Sequence, residues 1–238
     1  MLKAKAYGFL TGLEAELNRT LPPPDAMRLG VREVVERAKS DESSKHKRQP
    51  EDAFLYHYAF PIVFRSMTAV DGIDESSARQ SLLSEYFRNM PAYCSGTPAR
   101  RQRHPFNKLI GAKPQQIMAQ WKGSADGPPL KQSCPDFAFR PPFPFKIVFE
   151  GKYFESGGEQ KAERELVTAI YQAFFYRGLP YVAPEKHGPA WDYDFSCLLA
   201  YDASRDGTLK AAWTGLPKEV KTGFWEGASV YVMIVRGG

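Results

Sequence analysis

Apolar residues recur at helical spacing through most of the first half of the chain. The pattern predicts helices at residues 2–19, 26–39, 52–70, 75–89 and 106–121. Pro61 bends or splits the third of these, because proline removes a helical hydrogen bond and clashes with the preceding turn. We therefore expect residues 1–125 to form a mostly helical N-terminal region.

The second half of the chain alternates between strand and helix patterns. Two aromatic-rich, alternating runs flank a proline-rich break at residues 141–144, which predicts a β-hairpin with a turn of several residues. Helical periodicity follows over residues 159–177, and Gly178 supplies a stop signal. Two later apolar runs predict strands at residues 194–201 and 228–235. We expect an α/β fold whose core is residues 126–238, in one compact unit with the N-terminal region.

The predicted hairpin brings two carboxyl groups face to face. A turn centred near Phe143 pairs Asp136 with Glu150, and Lys152 shares their face because side chains alternate along a strand. The opposite face carries four apolar side chains, those of Phe137, Phe139, Ile147 and Phe149. Like charges directly across a sheet are unfavourable. A cation between the two carboxylates is the simplest explanation for keeping them there.

The cation that this pair predicts is Mg²⁺. Mg²⁺ prefers oxygen ligands and is commonly held by one or two carboxylates together with waters and a phosphate. Such an ion polarises a phosphoryl oxygen and lowers the pKa of a coordinated water. Lys152 could orient or deprotonate that water, or offset charge on the phosphorus. The alternative is that Asp136, Glu150 and Lys152 form a solvated ion-pair cluster that contributes little stability.

The helix after the hairpin carries polar residues along a stripe beside its apolar face. Glu165, Ala169, Gln172 and Tyr176 follow one another at spacings of three and four, so they lie on one side of the helix. Gln172 and Tyr176 could hydrogen-bond a water or a phosphate near the strand end. The alternative is an ordinary amphipathic helix with a half-buried glutamine.

The order of these elements resembles a known group of enzymes. Pro135-Asp136, then Glu150-Gly151-Lys152, then the helical residues from Gln172 to Tyr176 are similar to the motifs of the PD-(D/E)XK nuclease superfamily, which has the restriction-endonuclease-like fold. The Gln-x-x-x-Tyr element is similar to that of its RecB-like branch. The likeness covers residues from about 130 to 182 and implies an α/β/α core with a mixed central sheet.

The resemblance also implies roles for individual residues. Asp136 and Glu150, helped by the Gly151 carbonyl, would bind Mg²⁺, for which Mn²⁺ would substitute. Lys152 would act on the attacking water. On the helix, Gln172 would support the site and Tyr176 would contact DNA.

Many members of the superfamily add an acidic residue from an upstream helix. Glu14, Glu16, Glu51 and Glu85 are the candidates here, and helix-start carboxylates also serve as dipole partners or caps. RecB-like proteins often place a histidine ahead of the aspartate, for which His57 is a candidate with poor spacing. The three cysteines are too few and too scattered for the four-cysteine iron–sulfur cluster of some RecB-like proteins.

Charge is concentrated just before the hairpin. The net charge is +5, and the residues between Glu85 and Asp126 include no acidic side chain but several basic ones. Basic clusters supply sequence-independent contacts to phosphates. We therefore expect this part of the N-terminal region to contact DNA through Arg100, Arg101, Arg103 and Lys108.

Composition limits the classes of protein to which the chain can belong. Scattered cysteines indicate a reducing compartment. Apolar runs long enough to span a bilayer are absent from the sequence, and Glu14 and Glu16 interrupt the N-terminus too early for a signal peptide. We expect a cytoplasmic protein without membrane contact.

A metal-dependent deoxyribonuclease is the function that these patterns favour. The sequence lacks G-x-S-x-G, Walker A, G-x-G-x-x-G and H-E-x-x-H patterns, which weakens the triad-hydrolase, NTPase, dinucleotide-binding and zincin alternatives. A restriction-type endonuclease, dimeric for a palindromic site, and a RecB-like repair or defence nuclease both stay open. The main rival is a non-catalytic DNA-binding or assembly protein with the same fold. A structural protein whose hairpin only packs is the second.

Overall fold

A computed structural model describes residues 1–40, 49–84, 136–182 and 193–238. The predicted helix at residues 106–121 lies outside these ranges. Each helix in the described ranges is too short or too polar to cross a lipid bilayer.

Helices dominate the described part of the N-terminal region, residues 1–40 and 49–84. They are α1 (Leu2–Thr20), α2 (Pro24–Lys39), α3 (Pro50–Phe54), a π-helical turn (Leu55–Ala59), α4 (Phe60–Thr68) and α5 (Glu75–Ser81). The predicted third helix is irregular but not split at Pro61, because helical backbone continues from α3 through the π-helical turn into α4, where the Phe60 backbone N–H donates to the Leu55 carbonyl. The π-helical turn ends two residues before Pro61, and such single turns occur inside α-helices.

The strands form one mixed sheet. They are β1 (Leu82–Ser84), β2 (Phe137–Phe139), β3 (Ile147–Phe154), β4 (Phe195–Asp202) and β5 (Val230–Val235), in the order β1-β2-β3-β4-β5. β1, β2 and β3 pair antiparallel, whereas β3, β4 and β5 pair parallel. Parallel neighbours need crossover connections, and helices occupy both of them.

The predicted helix at residues 75–89 is wrong at Leu82–Ser84, which form β1, and residues 85–89 lie outside the described ranges. The chain turns extended at Leu82, which is buried and pairs with Phe139. The Ser81 carbonyl accepts from the Arg140 backbone N–H, and the Ser81 hydroxyl accepts from that of Phe143. Pairing with the hairpin therefore outweighs the helical pattern of this segment.

Three helices follow the hairpin: α6 (Glu159–Val182), α7 (Thr208–Gly215) and α8 (Lys218–Glu226). The predicted stop at Gly178 is wrong, since α6 continues to Val182. Glycine inside a helix costs only about 1 kcal/mol relative to alanine, so it does not by itself end one. The sequence pattern did not predict α7 or α8, which have only eight and nine residues.

The sheet buries both of its faces. One face packs Phe137, Phe139 and Phe149 against α1, α2, α3 and α4, with the rings of Phe137 and Phe149 stacked at 4.3 Å. The other packs Leu198 and Val232 against α6 and α7. The expected α/β class with a mixed sheet is confirmed. The N-terminal helices share a hydrophobic core with the sheet.

A buried carboxylate at the end of β4 holds α7 in place. Asp202 is fully buried, and it accepts hydrogen bonds from the Ser204 backbone N–H at 3.1 Å and hydroxyl at 2.5 Å. Its other oxygen accepts from the Lys210 backbone N–H at 2.8 Å and lies 3.6 Å from an Arg236 nitrogen. Asp202 therefore satisfies an amide of the first turn of α7, which has no helical partner.

We expect Asp202→Ala to lower the free energy of unfolding by about 3 kcal/mol, because it leaves buried donors and the Arg236 charge without their acceptor. Urea denaturation measures the loss. Asp206→Ala in the same loop is the control; Asp206 is exposed, so its removal should change stability by less than about 0.5 kcal/mol. A loss below about 1 kcal/mol for Asp202→Ala would contradict the assignment.

Candidate active site

The hairpin has the register that the sequence predicts. Phe137 pairs with Phe149, Ala138 with Val148 and Phe139 with Ile147. β2 has only three residues and β3 has eight. β3 therefore runs beyond β2 from Glu150 onward, and this part of its edge has no strand beside it among the described residues.

Two carboxylates occupy this open edge. The Gly151 backbone N–H donates to Asp136 Oδ2 at 2.5 Å. The Tyr153 backbone N–H interacts with the carboxylate of Glu51, in the first turn of α3. Alternate residues of a strand direct their N–H and C=O groups to the same side, so the Gly151 carbonyl also faces this edge. Asp136 and Glu51 take the place of a neighbouring strand.

Lys152 joins the acidic side chains to one another. Its Nζ lies 2.6 Å from Glu150 Oε1 and 3.4 Å from both carboxylate oxygens of Glu51. Asp136 and Glu150 are buried, with 6% and 3% of their surface exposed. The side chains of Lys152 and Glu51 are 22% and 33% exposed. The cluster is therefore deep on the hairpin side and opens to solvent through Lys152 and Glu51.

Burial and mutual charge shift the ionisation of this cluster. Burial, with the nearby Glu150 and Glu51 carboxylates, raises the pKa of Asp136 well above its ordinary value. Burial also raises the pKa of Glu51, although Lys152 opposes the shift. For Lys152 burial favours the neutral form, but the Glu150, Glu51 and Asp136 carboxylates outweigh it and raise the pKa. Lys152 is therefore a cation at neutral pH, which favours charge stabilisation and orientation over proton abstraction.

The donor set suits a hard divalent cation. Asp136 and Glu150 supply carboxylate oxygens, and the Gly151 carbonyl faces the same edge. One or two carboxylates suffice for Mg²⁺ when waters and a phosphate complete its ligands. Within the described ranges, no three His, Cys, Asp or Glu side chains are already grouped to hold a metal ion. Binding would therefore rest on this smaller set and would compete with the Lys152 ammonium for Glu150.

A cleft of about 230 Å³ leads to Lys152 from the C-terminal end of β3. Its polar lining includes Glu51, Lys152, Glu155, Lys161 and Glu165, and its apolar lining includes Leu166, Ala169, Leu198 and Leu209. The cleft is the route by which a ligand can approach the exposed end of the Lys152 side chain.

Gln172 and Tyr176, the two residues predicted on the helix, lie farther from Lys152 than the residues that line the cleft. Glu165 and Ala169 line the cleft, whereas Gln172 and Tyr176 are not part of its described lining. Gln172 is half-buried, and Tyr176 is buried with 3% of its surface exposed. Gln172 lies about 10 Å along the helix axis from Glu165. The structure thus brings Asp136, Glu150, Gly151 and Lys152 together, and the roles of Gln172 and Tyr176 stay predictions.

Among the four upstream acids, the structure brings Glu51 to the site. Glu14 instead accepts from the Tyr231 hydroxyl at 2.7 Å, and Glu16 pairs with Arg19 at 2.7 Å. Glu85 lies outside the described ranges, as do the basic residues Arg100, Arg101, Arg103 and Lys108. His57 is exposed on the π-helical turn.

The sequence reasoning missed the contact that brings α3 to the site. A side chain at position 151 would place its Cβ 2.5 Å from Leu55 Cδ1 and 2.7 Å from Cδ2. Leu55 follows Glu51 by four residues, so the two lie on one side of the helix. An acid four residues before a leucine, in a chain whose strand carries Glu150-Gly151-Lys152, is the sequence signal that could have distinguished Glu51 from the other three upstream acids.

Comparisons of the chain with protein-family models, with curated proteins and with solved structures find no match.

We expect Gly151→Ala to destabilise the protein by about 1–3 kcal/mol, because the new methyl group overlaps Leu55. Leu55→Ala alone should cost about 2–5 kcal/mol through the cavity it leaves. The double variant should lose less than the sum of the two by at least about 1 kcal/mol, because the new methyl group fits the vacated space.

Urea denaturation of the four proteins measures this coupling. Gly158→Ala is the matched control, since a Cβ at position 158 meets nothing within 4 Å. Strict additivity of Gly151→Ala and Leu55→Ala would show that the contact does not hold α3 against β3.

In the absence of metal, Asp136→Asn should be more stable than wild type, by a margin that grows as the pH rises. Asparagine keeps an acceptor for the Gly151 N–H and removes the charge. The folded pKa of Asp136 is raised, so its favourable contribution is complete below the ordinary value of 3.8 and is lost as the pH rises through the folded pKa. We expect the variant to exceed wild type by about 1–2 kcal/mol near pH 8, and by much less near pH 4.

Urea unfolding with EDTA at several pH values measures this difference. A constant difference across the pH range, or a variant less stable than wild type near neutral pH, would contradict the electrostatic account of Asp136.

Proposed function

We propose that this protein is a divalent-metal-dependent nuclease that hydrolyses DNA phosphodiester bonds on a restriction-endonuclease-like core. The observation that carries the proposal is the convergence of Asp136, Glu150 and Lys152 on the open edge of β3, with Glu51 reaching the same edge from α3. Buried carboxylates that raise one another's pKa cluster at functional sites, where a ligand offsets their repulsion.

In this proposal the cation site is formed by Asp136, Glu150 and the Gly151 carbonyl. Mg²⁺, or Mn²⁺ in its place, would polarise the scissile phosphate and lower the pKa of the attacking water. The Lys152 ammonium would bind a phosphate oxygen and offset the negative charge that develops at phosphorus. Glu51, 3.4 Å from the Lys152 Nζ, would keep that ammonium directed into the cleft.

DNA is the proposed substrate for reasons of charge. The net charge of +5 favours anionic partners, and the basic residues from Arg100 to Lys108 supply phosphate contacts in this proposal. In this proposal the half-buried Gln172 extends the contact surface along α6, and Tyr176, which is buried, would support the helix beneath that surface. The restriction-type and RecB-like alternatives both remain compatible with this site.

A non-catalytic DNA-binding or assembly protein is the second candidate. The observation that favours it is the 2.6 Å ion pair between Lys152 and Glu150, in which the lysine already occupies a carboxylate that the cation would need. In that case Lys152 and the acids would serve the fold alone, and a metal would change neither stability nor activity.

Nuclease assays separate the two candidates. Purified protein is incubated with supercoiled plasmid, linear duplex and single-stranded DNA in Mg²⁺, Mn²⁺ or EDTA. We expect metal-dependent cleavage that falls by at least about 100-fold in Lys152→Ala, as for loss of a charge-stabilising donor, and that is abolished in Asp136→Asn. Lys39→Ala is the control, because Lys39 is an exposed lysine that pairs with Glu36 on α2.

The products distinguish cutting at discrete sites from digestion at ends. Cleavage that persists in Lys152→Ala would overturn the proposal. DNA binding without cleavage of any substrate would support the non-catalytic candidate instead.

A further inference from the structure

A second cavity lies outside the site. It is an apolar groove of about 540 Å³ between α6, α7 and α8. Glu163 is the one charged side chain of its described lining, and the apolar lining includes Leu166, Val167, Ile170, Phe174, Leu216, Val220 and Phe224. Nothing in the proposed nuclease chemistry uses this groove.

Large hydrophobic side chains are exposed along the same groove. Val167, Tyr171 and Val220 are 52%, 61% and 43% exposed, and all three belong to its lining. Single exposed apolar residues are ordinary, but a contiguous group of them usually marks an interaction surface. We call the groove and these three residues the α6–α8 patch. The α6–α8 patch therefore contains an apolar groove, and it also contains exposed apolar side chains that could enter the same groove of another molecule.

We propose that a second copy of this chain covers the α6–α8 patch, with the two α6 helices packed antiparallel about a twofold axis near Val167. A twofold interface uses the same surface on both subunits, so it requires a self-complementary patch. Val167 from each copy would meet at the axis. The Tyr171 ring of each copy would enter the groove of the other.

The polar groups of the patch support this pairing. In an antiparallel pair centred on position 167, position 171 of one helix lies opposite position 163 of the other, because each is four residues from the axis. The Tyr171 hydroxyl would then donate to Glu163 of the partner subunit. The charged side chain of the groove and the phenol hydroxyl on its rim are thus satisfied by the same symmetry, twice per dimer.

The pairing leaves the cleft of each copy accessible. Leu166 borders both cavities, but Glu165 and Ala169 line the cleft and not the groove. The proposal therefore does not depend on the nuclease activity.

Disulfide cross-linking tests the twofold axis directly. In full-length protein with Cys94→Ser and Cys134→Ser, Val167→Cys should form a dimer under mild oxidation, because symmetry places the two thiols together. Val220→Cys is the matched control, since it is an exposed valine of the same patch on α8, away from the axis. We expect it to cross-link at least about tenfold more slowly, given the specific geometry that a disulfide requires.

Light scattering and sedimentation over a roughly hundredfold range of concentration measure the affinity, which follows mass action. Wild type should be dimeric at the upper end, and Tyr171→Glu should be monomeric there. Tyr171→Phe and Glu163→Gln should each weaken the dimer by roughly 3- to 10-fold, as for loss of one kind of hydrogen bond. The two changes combined should add little to either alone. Circular dichroism checks that Tyr171→Glu is folded.

Two results would overturn the proposal. A monomeric Val167→Cys variant whose introduced thiol does not cross-link but is alkylated rapidly would show an open groove that a different ligand occupies. A monomeric variant whose introduced thiol is protected from alkylation would show that other residues of the same chain cover the patch.

Discussion

Hydrogen bonding at the open edge of β3 determines the arrangement of the site. Backbone N–H groups in a protein interior are almost always paired, and a strand that runs beyond its neighbour leaves such groups exposed. Here the Asp136 and Glu51 carboxylates interact with the N–H groups of Gly151 and Tyr153. The backbone thus holds two acidic groups beside Glu150, where their mutual repulsion would otherwise separate them. The acidic cluster therefore depends on a sheet that is incomplete at this edge.

Packing on the opposite face determines how closely α3 approaches this edge. Leu55 lies against Gly151, where any larger residue would overlap it, and the stacked rings of Phe137 and Phe149 hold the hairpin against the N-terminal helices. The acids therefore belong to rigid elements on both sides of β3. Holding acidic side chains close together in this way lowers the stability of the free protein, because the carboxylates repel one another. Active sites commonly show such a trade-off between stability and activity.

The hairpin and the positions of Asp136, Glu150 and Lys152 could be predicted from the sequence because strand alternation and a turn signal determine the register locally. The choice of Glu51 over Glu14 could not, because it depends on a contact between residues 96 apart in sequence, Leu55 and Gly151. The end of α5 at Ser81 also depends on distant pairing, with the hairpin at residues 139–143. Short helices such as α7 depend on a capping side chain that precedes the helix, here Asp202, and such a contact leaves little trace in the periodicity of apolar residues.

The π-helical turn at Leu55–Ala59 determines how the side chains of α3 are rotated about the helix axis relative to those of α4. A π-helical turn contains an extra residue relative to an α-helical one, so it changes the angle between α3 and α4 side chains by about 100° per residue inserted. Loss of one residue from this turn would change the direction of the Glu51 side chain relative to α4 by about 100°. The presence of Glu51 beside Lys152 therefore depends on the helical phase of a turn that contributes the packing contact of Leu55 but no charged group to the site.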